Sequence, residues 1–320
     1  MATESQAHEW VVSAAEEGVR LDLFLASKLQ GRSRSKLQTL VKDGLVEVEG
    51  HFQCKSNTNL VQGEVVRAQL PQNAPTVSAE EAARQLPILF EDDDILVVDK
   101  PAGLLSHRTE GGNEITLAEL AVAHAGPLPS VQGEGRPGVV HRLDRETSGV
   151  MVLGKNEQSL NELMRQFRER EVTKTYAVLV AGEPRFQSDW IELPLGRPPR
   201  HPERMGVKAE ADGGRPASTF YDVQERFEGF TFLHCQPKTG RTHQIRVHLS
   251  EIEMEVIGDK VYRAKGKRLK RPGDDAPRSH RQMLHARRLE FKHPVTGQPL
   301  SFQVELPEDF QALLDYFRKG

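Results

Sequence analysis

The arrangement of short apolar segments around one clear amphipathic helix is the sequence feature that most limits the fold of this chain. Four apolar residues recur at the spacing of one helix face, Leu160, Leu163, Met164 and Phe167. Apolar runs typical of buried strands lie before and after this helix, at residues 150–153 and 176–180. Further strands and helices follow without the regular strand–helix alternation of a parallel sheet. We therefore expect an α+β domain built on a mixed, largely antiparallel sheet.

A smaller α+β unit is predicted before this domain, over residues 18–70. Residues 21–29 and 37–41 carry apolar side chains at helical spacing, and two alternating segments near residues 46 and 65 indicate a strand pair. Residues 1–17 are expected to form a polar tail. Residues 71–86 lack a sustained apolar stripe and are expected to form a linker. The larger domain would then occupy residues 87–320.

Composition limits the classes of protein to which the chain can belong. With 37% hydrophobic and 28% charged residues, it falls in the range of ordinary globular proteins. The two cysteines, Cys54 and Cys235, lack CxxC spacing, so neither a disulfide framework nor a structural zinc site is predicted. We see no signal-peptide pattern and no apolar run of about 18 residues. We therefore expect a cytoplasmic protein without a membrane partner.

Positive charge is concentrated locally although the formal net charge is −3. The densest run lies at residues 263–271, and others lie at 32–42 and 278–288. Arg34 and Lys36 belong to the second predicted helix of the small unit. A charged helix face usually meets only solvent, so charge alone does not establish contact with nucleic acid.

Four other kinds of site are not favoured. Residues 133–138 match GxGxxG, but they follow a loop rich in proline and glycine instead of a strand, so a turn is the better interpretation than a dinucleotide site. His234, His243, His248 and Asp259 lack the spacing of common metal motifs. The chain also has no GxSxG elbow and no P-loop. No metal or cofactor site is predicted.

One string of residues offers a candidate catalytic carboxylate. Residues 136–149 read Arg-Pro-Gly-Val-Val-His-Arg-Leu-Asp-Arg-Glu-Thr-Ser-Gly, with Asp144 in a short loop before a predicted buried strand. An aspartate in such a loop is more often a turn or capping residue, so its position alone does not establish catalysis. The whole string, however, resembles the signature of the RluA-type pseudouridine synthases.

Further segments resemble this family in order and spacing, from about residue 88 to residue 306. They are residues 94–104, 174–177 (Lys-Thr-Tyr-Ala), 239–249 (Thr-Gly-Arg-Thr-His-Gln-Ile-Arg-Val-His-Leu), 284–286 and 291–294. The small unit resembles the S4 RNA-binding domain at residues 20–25, 33–38, 43–46 and 63–65. This second resemblance turns RNA contact by Arg34 and Lys36 into an expectation.

The family resemblance implies an RNA uridine isomerase that needs no cofactor. Asp144 would act at the ribose, either as a nucleophile at C1′ or as a base at C2′. Arg241 matches the family residue that pairs with this aspartate, and a guanidinium there would keep the carboxylate ionised in a dry pocket. Tyr176 matches the tyrosine that stacks on the target base.

Substrate contacts are implied for three more residues of the matched motifs. Arg142 resembles the residue that fills the space left when the target base is extruded from the RNA, and His141 and His243 are further substrate-binding candidates. The expected partner is RNA, with large-subunit rRNA first and tRNA second, and the expected state is a monomer.

The chain departs from the family pattern at several positions, which bear on the choice of target. Residues 253–255 read Glu-Met-Glu where Gly-His-Pro is usual, Arg263 replaces a glycine, and residues 106–108 read Ser-His-Arg where Val-His-Pro is typical. Two other functions remain open from the sequence: a non-catalytic RNA-binding or ribosome-assembly factor on the same scaffold, and a nucleoside hydrolase. The first is disfavoured by the joint presence of Asp144, Tyr176 and Arg241, and the second by the S4-like unit.

Overall fold

The computed structural model describes residues 5–29, 37–38, 40–41, 44–51, 55–71, 78, 81, 84, 86–108, 114–131, 133, 135–198, 204–264 and 269–319. The chain divides into two compact units. The first is Met1–Thr76 with Arg108–Glu114, and the second is Val77–His107 with Ile115–Gly320. Within the described ranges, every helix is too short or too polar to cross a membrane.

The first unit is a three-stranded antiparallel sheet packed against helices. Its elements are β1 (Ser5–Val11), α1 (Leu21–Lys28), β2 (Val46–Val48) and β3 (Val65–Pro71), and the strand order is β1–β3–β2. Residues 37, 38, 40 and 41 are also helical. Phe24, Leu25, Leu37 and Val66 belong to its buried core.

Strand β1 corrects the expectation of a polar tail over residues 1–17. Its backbone pairs with β3 along its whole length, and Val11 lies opposite Val65. The neighbouring Val12 is buried, and the Trp10 ring meets Phe24 edge-on at 6.4 Å. An edge strand is held by backbone hydrogen bonds that any residue except proline can make, so its polar composition conceals it. Most of the expected linker, residues 71–86, lies outside the described residues.

The second unit contains twelve strands and four α-helices in its described part. The strands are β4 (Ile88–Glu91), β5 (Ile95–Lys100), β6 (Ser148–Gly154), β7 (Thr173–Ala181), β8 (Ser188–Glu192), β9 (Leu195–Gly196), β10 (Gly206–Val207), β11 (Ser218–Phe227), β12 (Phe230–Pro237), β13 (Glu255–Val256), β14 (Leu284–Lys292) and β15 (Pro299–Gln303). The helices are α2 (Leu117–Ala125), α3 (Glu157–Glu169), α4 (Gln244–Glu251) and α5 (Glu308–Lys319).

Ten of these strands form one sheet in the order β4–β5–β6–β14–β7–β12–β11–β8, with β13 added to β7 and β15 added to β14. The β6–β14 pair is parallel, and the other pairs of this sheet are antiparallel. The predicted α+β class with a mixed, largely antiparallel sheet is therefore confirmed. The amphipathic helix predicted around Leu160 is α3, whose buried face includes Leu160 and Leu163.

Strand β14 lies between β6 and β7 and joins two distant segments of the chain. Ala286 lies opposite Gly149 of β6 on one side and opposite Tyr176 of β7 on the other. Gly149 has φ +121°, and a Cβ built on it would lie 2.2 Å from the backbone oxygen of Ala286. Only glycine allows this close approach. Because Asp144 is five residues before Gly149, the same contact carries Asp144 and Tyr176 toward each other.

We expect Gly149→Ala to destabilise the protein by about 3 kcal/mol, since the methyl group adds overpacking to backbone strain. Chemical denaturation of the full chain measures this loss. Gly297→Ala is the matched control, because Gly297 has φ +71° but a Cβ added to it would meet no atom within 4 Å. It should cost only about 1 kcal/mol, the strain of a left-handed alanine. Equal losses for the two variants would contradict the role given to the Gly149–Ala286 contact.

Candidate active site

A cavity of about 560 Å³ opens in the second unit, beside the loop that precedes β6. Its wall includes Asp144 from that loop, Tyr176 from β7, and residues 237–246 from the end of β12 to the first turn of α4. The volume lies within the range of about 300–1,000 Å³ found for small-molecule sites. The cavity therefore has room for a single nucleotide.

The backbone on both sides of Asp144 is held by buried side chains. The Ser106 hydroxyl donates to the carbonyl of Leu143 at 2.9 Å and accepts from the Leu143 N–H at 3.1 Å. The Lys100 ammonium donates to the carbonyls of Arg145, Pro101 and Leu104 at 3.1, 2.9 and 2.8 Å. Burial lowers the pKa of Lys100 to about 7. These contacts fix the loop before any substrate binds.

The carboxylate of Asp144 is bound by the guanidinium of Arg246. Nη1 of Arg246 donates to Oδ2 of Asp144 at 2.9 Å, while Nε and Nη2 donate to the two carboxylate oxygens of Asp259 at 2.6 and 2.9 Å. The side chain of Asp259 is fully buried, that of Arg246 is 6% exposed, and that of Asp144 is 18% exposed. One guanidinium thus serves two carboxylates, and only Asp144 is open to the cavity.

Asp259 and Arg246 both stay ionised although they are buried, because their opposite charges compensate each other. Burial by itself would raise the pKa of Asp259, but hydrogen bonds from Arg246 and from the N–H groups of Val261 and Tyr262 lower it below its usual range. Burial likewise opposes the charge on Arg246, yet the two carboxylates together raise its pKa. Arg246 therefore presents a permanent positive charge to Asp144.

The expected pairing of Arg241 with Asp144 is corrected by this geometry. Nε of Arg241 donates instead to the carbonyl of Pro216 at 3.2 Å, although Arg241 does line the cavity. The amide of Gln244 organises the loop, because its Oε1 accepts from the Arg241 N–H at 3.0 Å and from the Thr239 hydroxyl at 2.7 Å. The motif holds two arginines, and only the turn into α4 decides which of them reaches the carboxylate.

His243 and Tyr262 complete the surroundings of the Asp144–Arg246 pair. Nδ1 of His243 lies 2.7 Å from the Tyr262 hydroxyl, and Nε2 lies 3.9 Å from Oδ1 of Asp144. Burial lowers the pKa of His243, so the ring is neutral at neutral pH. The guanidinium of Arg246 lies over the Tyr262 ring, 4.9 Å from its centre. Tyr262 was missed from the sequence, where no motif marked it as more than a flank of the basic segment.

Tyr176, for which base stacking was predicted, lies on the wall of the cavity. Its ring is partly buried and packs against two core clusters of the sheet. Burial, and secondarily the charge of Asp144, raise the pKa of its phenol. The hydroxyl therefore remains protonated at physiological pH.

The other predicted contacts differ in their surroundings. The His141 ring stacks on Phe167 at 4.6 Å, and its Nε2 accepts from the Val152 N–H at 3.1 Å. Burial lowers the pKa of His141 to about 3, so it forms an uncharged wall of the cavity. Arg142 also lines the cavity and is exposed. Arg34 and Lys36 lie outside the described residues.

His107 is a further cavity residue that the sequence did not single out. Its side chain is buried, it lines the cavity, and its Nδ1 is buried without a hydrogen-bond partner in the described part of the chain. Burial, together with Arg142 and Arg136, lowers its pKa to about 4. His107 thus adds a neutral imidazole to the wall.

The histidines that resembled a metal set in the sequence are held in other ways. His248 bonds to the hydroxyl of Thr219 and the carbonyl of Leu193, both at 2.9 Å. A different group, Asp92, Asp94 and His293, has ligand atoms within 4.8 Å of one another. His293 already bonds to Asp92 at 2.9 Å, and Asp94 accepts from the side chains of Asn156 and Ser159. Hydrogen bonding accounts for this group.

Glu255 and Arg263, which both depart from the family pattern, contact each other. Glu255 is buried, and its carboxylate accepts from the guanidinium groups of Arg263 and Arg271. Burial would raise the pKa of Glu255, but these two arginines lower it. Two cations of the basic segment therefore already share one buried carboxylate, and residues 265–268 lie outside the described part.

Comparison with known proteins places this site in a family. The model of the RNA pseudouridylate synthase family matches residues 94–251, a span that includes Asp144, Tyr176 and Arg246. Ribosomal large subunit pseudouridine synthase D of Nitrosomonas europaea is 40% identical over 94% of this chain and 85% of its own length. The uncharacterized RNA pseudouridine synthase YlyB of Bacillus subtilis is 38% identical over 97% of this chain and 98% of its own length.

A solved structure supports the same fold. Human RNA pseudouridylate synthase domain containing 4 superposes with a TM-score of 0.59 over 75% of this chain and 95% of its own, at 24% sequence identity. At that identity the likeness shows the fold alone, whereas the two bacterial relatives show the family. The chain therefore belongs to the RNA pseudouridine synthases of the RluA type, which are isomerases.

Proposed function

We propose that this enzyme converts particular uridines of large-subunit rRNA into pseudouridine, with Asp144 as its catalytic carboxylate. The choice of RNA is supported by relatives named as ribosomal large subunit pseudouridine synthase D, found in Nitrosomonas europaea and Xanthomonas campestris. The observation that carries the role of Asp144 is its contact with Arg246 at the wall of a nucleotide-sized cavity. As expected from composition, we place the enzyme in the cytoplasm.

The reaction is an isomerisation that this set of residues can support. The C1′–N1 bond of uridine breaks, the detached uracil turns, and a C1′–C5 bond forms; the proton on C5 then leaves while N1 takes up a proton, so the product is an isomer of uridine. A carboxylate beside the ribose is needed either to attack C1′ or to remove the proton at C2′. Arg246 holds the carboxylate of Asp144 oriented for either role, because Asp259 fixes the other edge of the guanidinium.

Recognition of the target base would use the walls of the cavity. A base that is stacked in RNA must first be extruded, at a cost of a few kcal/mol. The ring of Tyr176 would stack on the extruded uracil, and Arg142 would occupy the space that it leaves. His141, His107 and His243 are neutral at physiological pH, so they can exchange hydrogen bonds with an uncharged base.

The N-terminal unit would add affinity for RNA. Its sequence resembles the S4 domain, and Arg34 and Lys36 are the cations proposed to contact phosphate. A binding factor without activity is the competing function. It is disfavoured because Asp144 and Arg246 are joined by a hydrogen bond in a cavity that Tyr176 also lines, an arrangement that RNA binding alone does not require.

Asp144→Asn should reduce isomerisation by at least about 1,000-fold, since the amide can neither attack C1′ nor accept the C2′ proton. Release of tritium from 5-³H-uridine in rRNA of a strain lacking the gene measures the reaction. RNA affinity should stay near that of the wild type, because the fold keeps a neutral hydrogen-bonded partner for Arg246. Retained tritium release would refute the role of Asp144.

Single substitutions of Arg246 and of Arg241 should lower kcat to different extents, because only Arg246 contacts Asp144. Arg246→Lys keeps the charge but loses the fork that spans two carboxylates, so kcat should fall about 100-fold. Arg241→Gln is the matched test, and kcat should fall less than about tenfold because Arg241 does not touch Asp144. The reverse order of effects would show that Arg241 supports the carboxylate.

Removing residues 1–72 should weaken RNA binding, most clearly at low salt, because the deleted segment carries phosphate contacts. The dependence of Kd on salt concentration for the full chain and the shortened chain measures this contribution. A shortened chain that is folded, as judged by circular dichroism, and binds with unchanged affinity and salt slope would contradict the S4-like role.

A further inference from the structure

The wall of the catalytic cavity carries far more positive charge than the protein as a whole. Eight of its lining side chains are arginine or lysine, whereas Asp144 supplies its one carboxylate among the described residues. The chain has a net charge of −3. Arg246 is occupied by Asp144 and Asp259, but within the described part of the chain most of the other cations have no acidic partner. Such a concentration needs an anionic ligand to offset the repulsion.

Arg170 stands out because of its backbone. It ends α3 with φ 63° and ψ 29°, in the left-handed conformation where glycine is the usual residue. The cost of this conformation for arginine is not explained by the helix dipole, because Arg168 already places a cation in the last turn. The side chain of Arg170 is exposed and lines the cavity, without an acidic partner in the described part of the chain.

Lys174 and Lys238 lie on the same wall, on neighbouring strands. Lys174 is two residues before Tyr176 in β7, so the two side chains share one face of the sheet. Lys238 directly follows β12, whose Cys235 lies opposite Tyr176. Among the described residues, the ammonium of Lys174 makes one long contact, at 3.5 Å to the carbonyl of Thr239. Burial, and secondarily the charge of Lys238, lower the pKa of Lys174 to about 8.

We propose that Arg170, Lys174 and Lys238 form a phosphate-binding subsite that holds the RNA backbone beside the extruded uridine. The proposal rests on the proposed function, because it takes the ligand of the cavity to be RNA. Lys174 shares its face of β7 with Tyr176, so a base stacked on that ring would bring its own or an adjacent phosphate within reach. In this proposal the side chain of Arg170 contacts the RNA backbone, and that contact is the reason why an arginine occupies a left-handed backbone position.

Two variants of the full chain test the subsite. Arg170→Gly removes the charge and also the left-handed strain, so the melting temperature should stay the same or rise while RNA affinity falls. The double variant Lys174→Met/Lys238→Met removes the charged pair and keeps most of the apolar side-chain length. Lys319→Met, an exposed lysine of α5 outside the cavity, is the matched control.

The measurement is Kd at several salt concentrations, with large-subunit rRNA from a strain lacking the gene as the probe. Each lost phosphate contact should reduce the slope of log Kd against log salt by about 0.7 and weaken binding roughly fivefold at 0.1 M salt. Arg170→Gly should therefore lose about one contact and the double variant about two, with no change for Lys319→Met.

The outcomes separate this subsite from the function on which it rests. Unchanged slopes in Arg170→Gly and in the double variant would overturn the subsite, even if wild-type protein releases tritium from the rRNA. A wild-type protein that binds the rRNA without releasing tritium would contradict the proposed function, while the slopes would still decide the subsite. A loss of affinity in Arg170→Gly without a smaller slope would also overturn it, since loss of a phosphate contact must change the number of ions released.

Discussion

The guanidinium of Arg246 is the interaction on which the site depends. It lies between a fully buried carboxylate, Asp259, and the cavity-facing carboxylate of Asp144. A lone charged group at this depth would shift its pKa and lose its charge, so each member needs the others. Two bonds to Asp259 leave one edge of the guanidinium free to hold Asp144. The carboxylate of Asp144 is thereby held in a fixed orientation and remains open to the cavity.

The sheet makes this arrangement possible by joining segments that are far apart in the chain. Gly149 lets β6 approach β14, and β14 in turn carries β7 with Tyr176. Helix α4 then brings Arg246 to the loop that Ser106 and Lys100 hold in place. Rigid backbone contacts therefore set the distance between the carboxylate and the aromatic ring, as positioning for catalysis requires.

The basic segment of the sequence and the wall of the cavity differ in how far their positive charges are already paired with acids. Arg263 and Arg271 come from the densest basic segment of the sequence, yet both are paired with the one buried carboxylate of Glu255. The cavity wall, whose cations are scattered along the sequence, holds the charge that is available to an anion. Clusters in the sequence are thus a poor guide to charge on the surface, because a buried acid can pair with part of a cluster and a fold can assemble a new one.

The sequence by itself determined the fold class and the family, and it singled out Asp144 as the candidate catalytic carboxylate. Helical and strand spacing predicted the α+β architecture, and the motif around Asp144 had enough residues in fixed order to identify the chemistry. These features depend on residues that are close together in the sequence, so they can be recognised without the three-dimensional structure. The polar strand β1 was missed because backbone pairing leaves little trace in side chains.

Only the tertiary structure decided which arginine serves Asp144. Arg241 and Arg246 are both in the matched motif, and the turn shaped by Gln244 sends one to the carbonyl of Pro216 and the other to the carboxylate. The tertiary structure also places Tyr262 against His243 and Arg246. It likewise brings three cations into one cavity wall, namely Arg170, Lys174 and Lys238. The physical reason is that a charge pair depends on distance through space, and that distance is set by strand pairing and helix placement rather than by spacing along the chain.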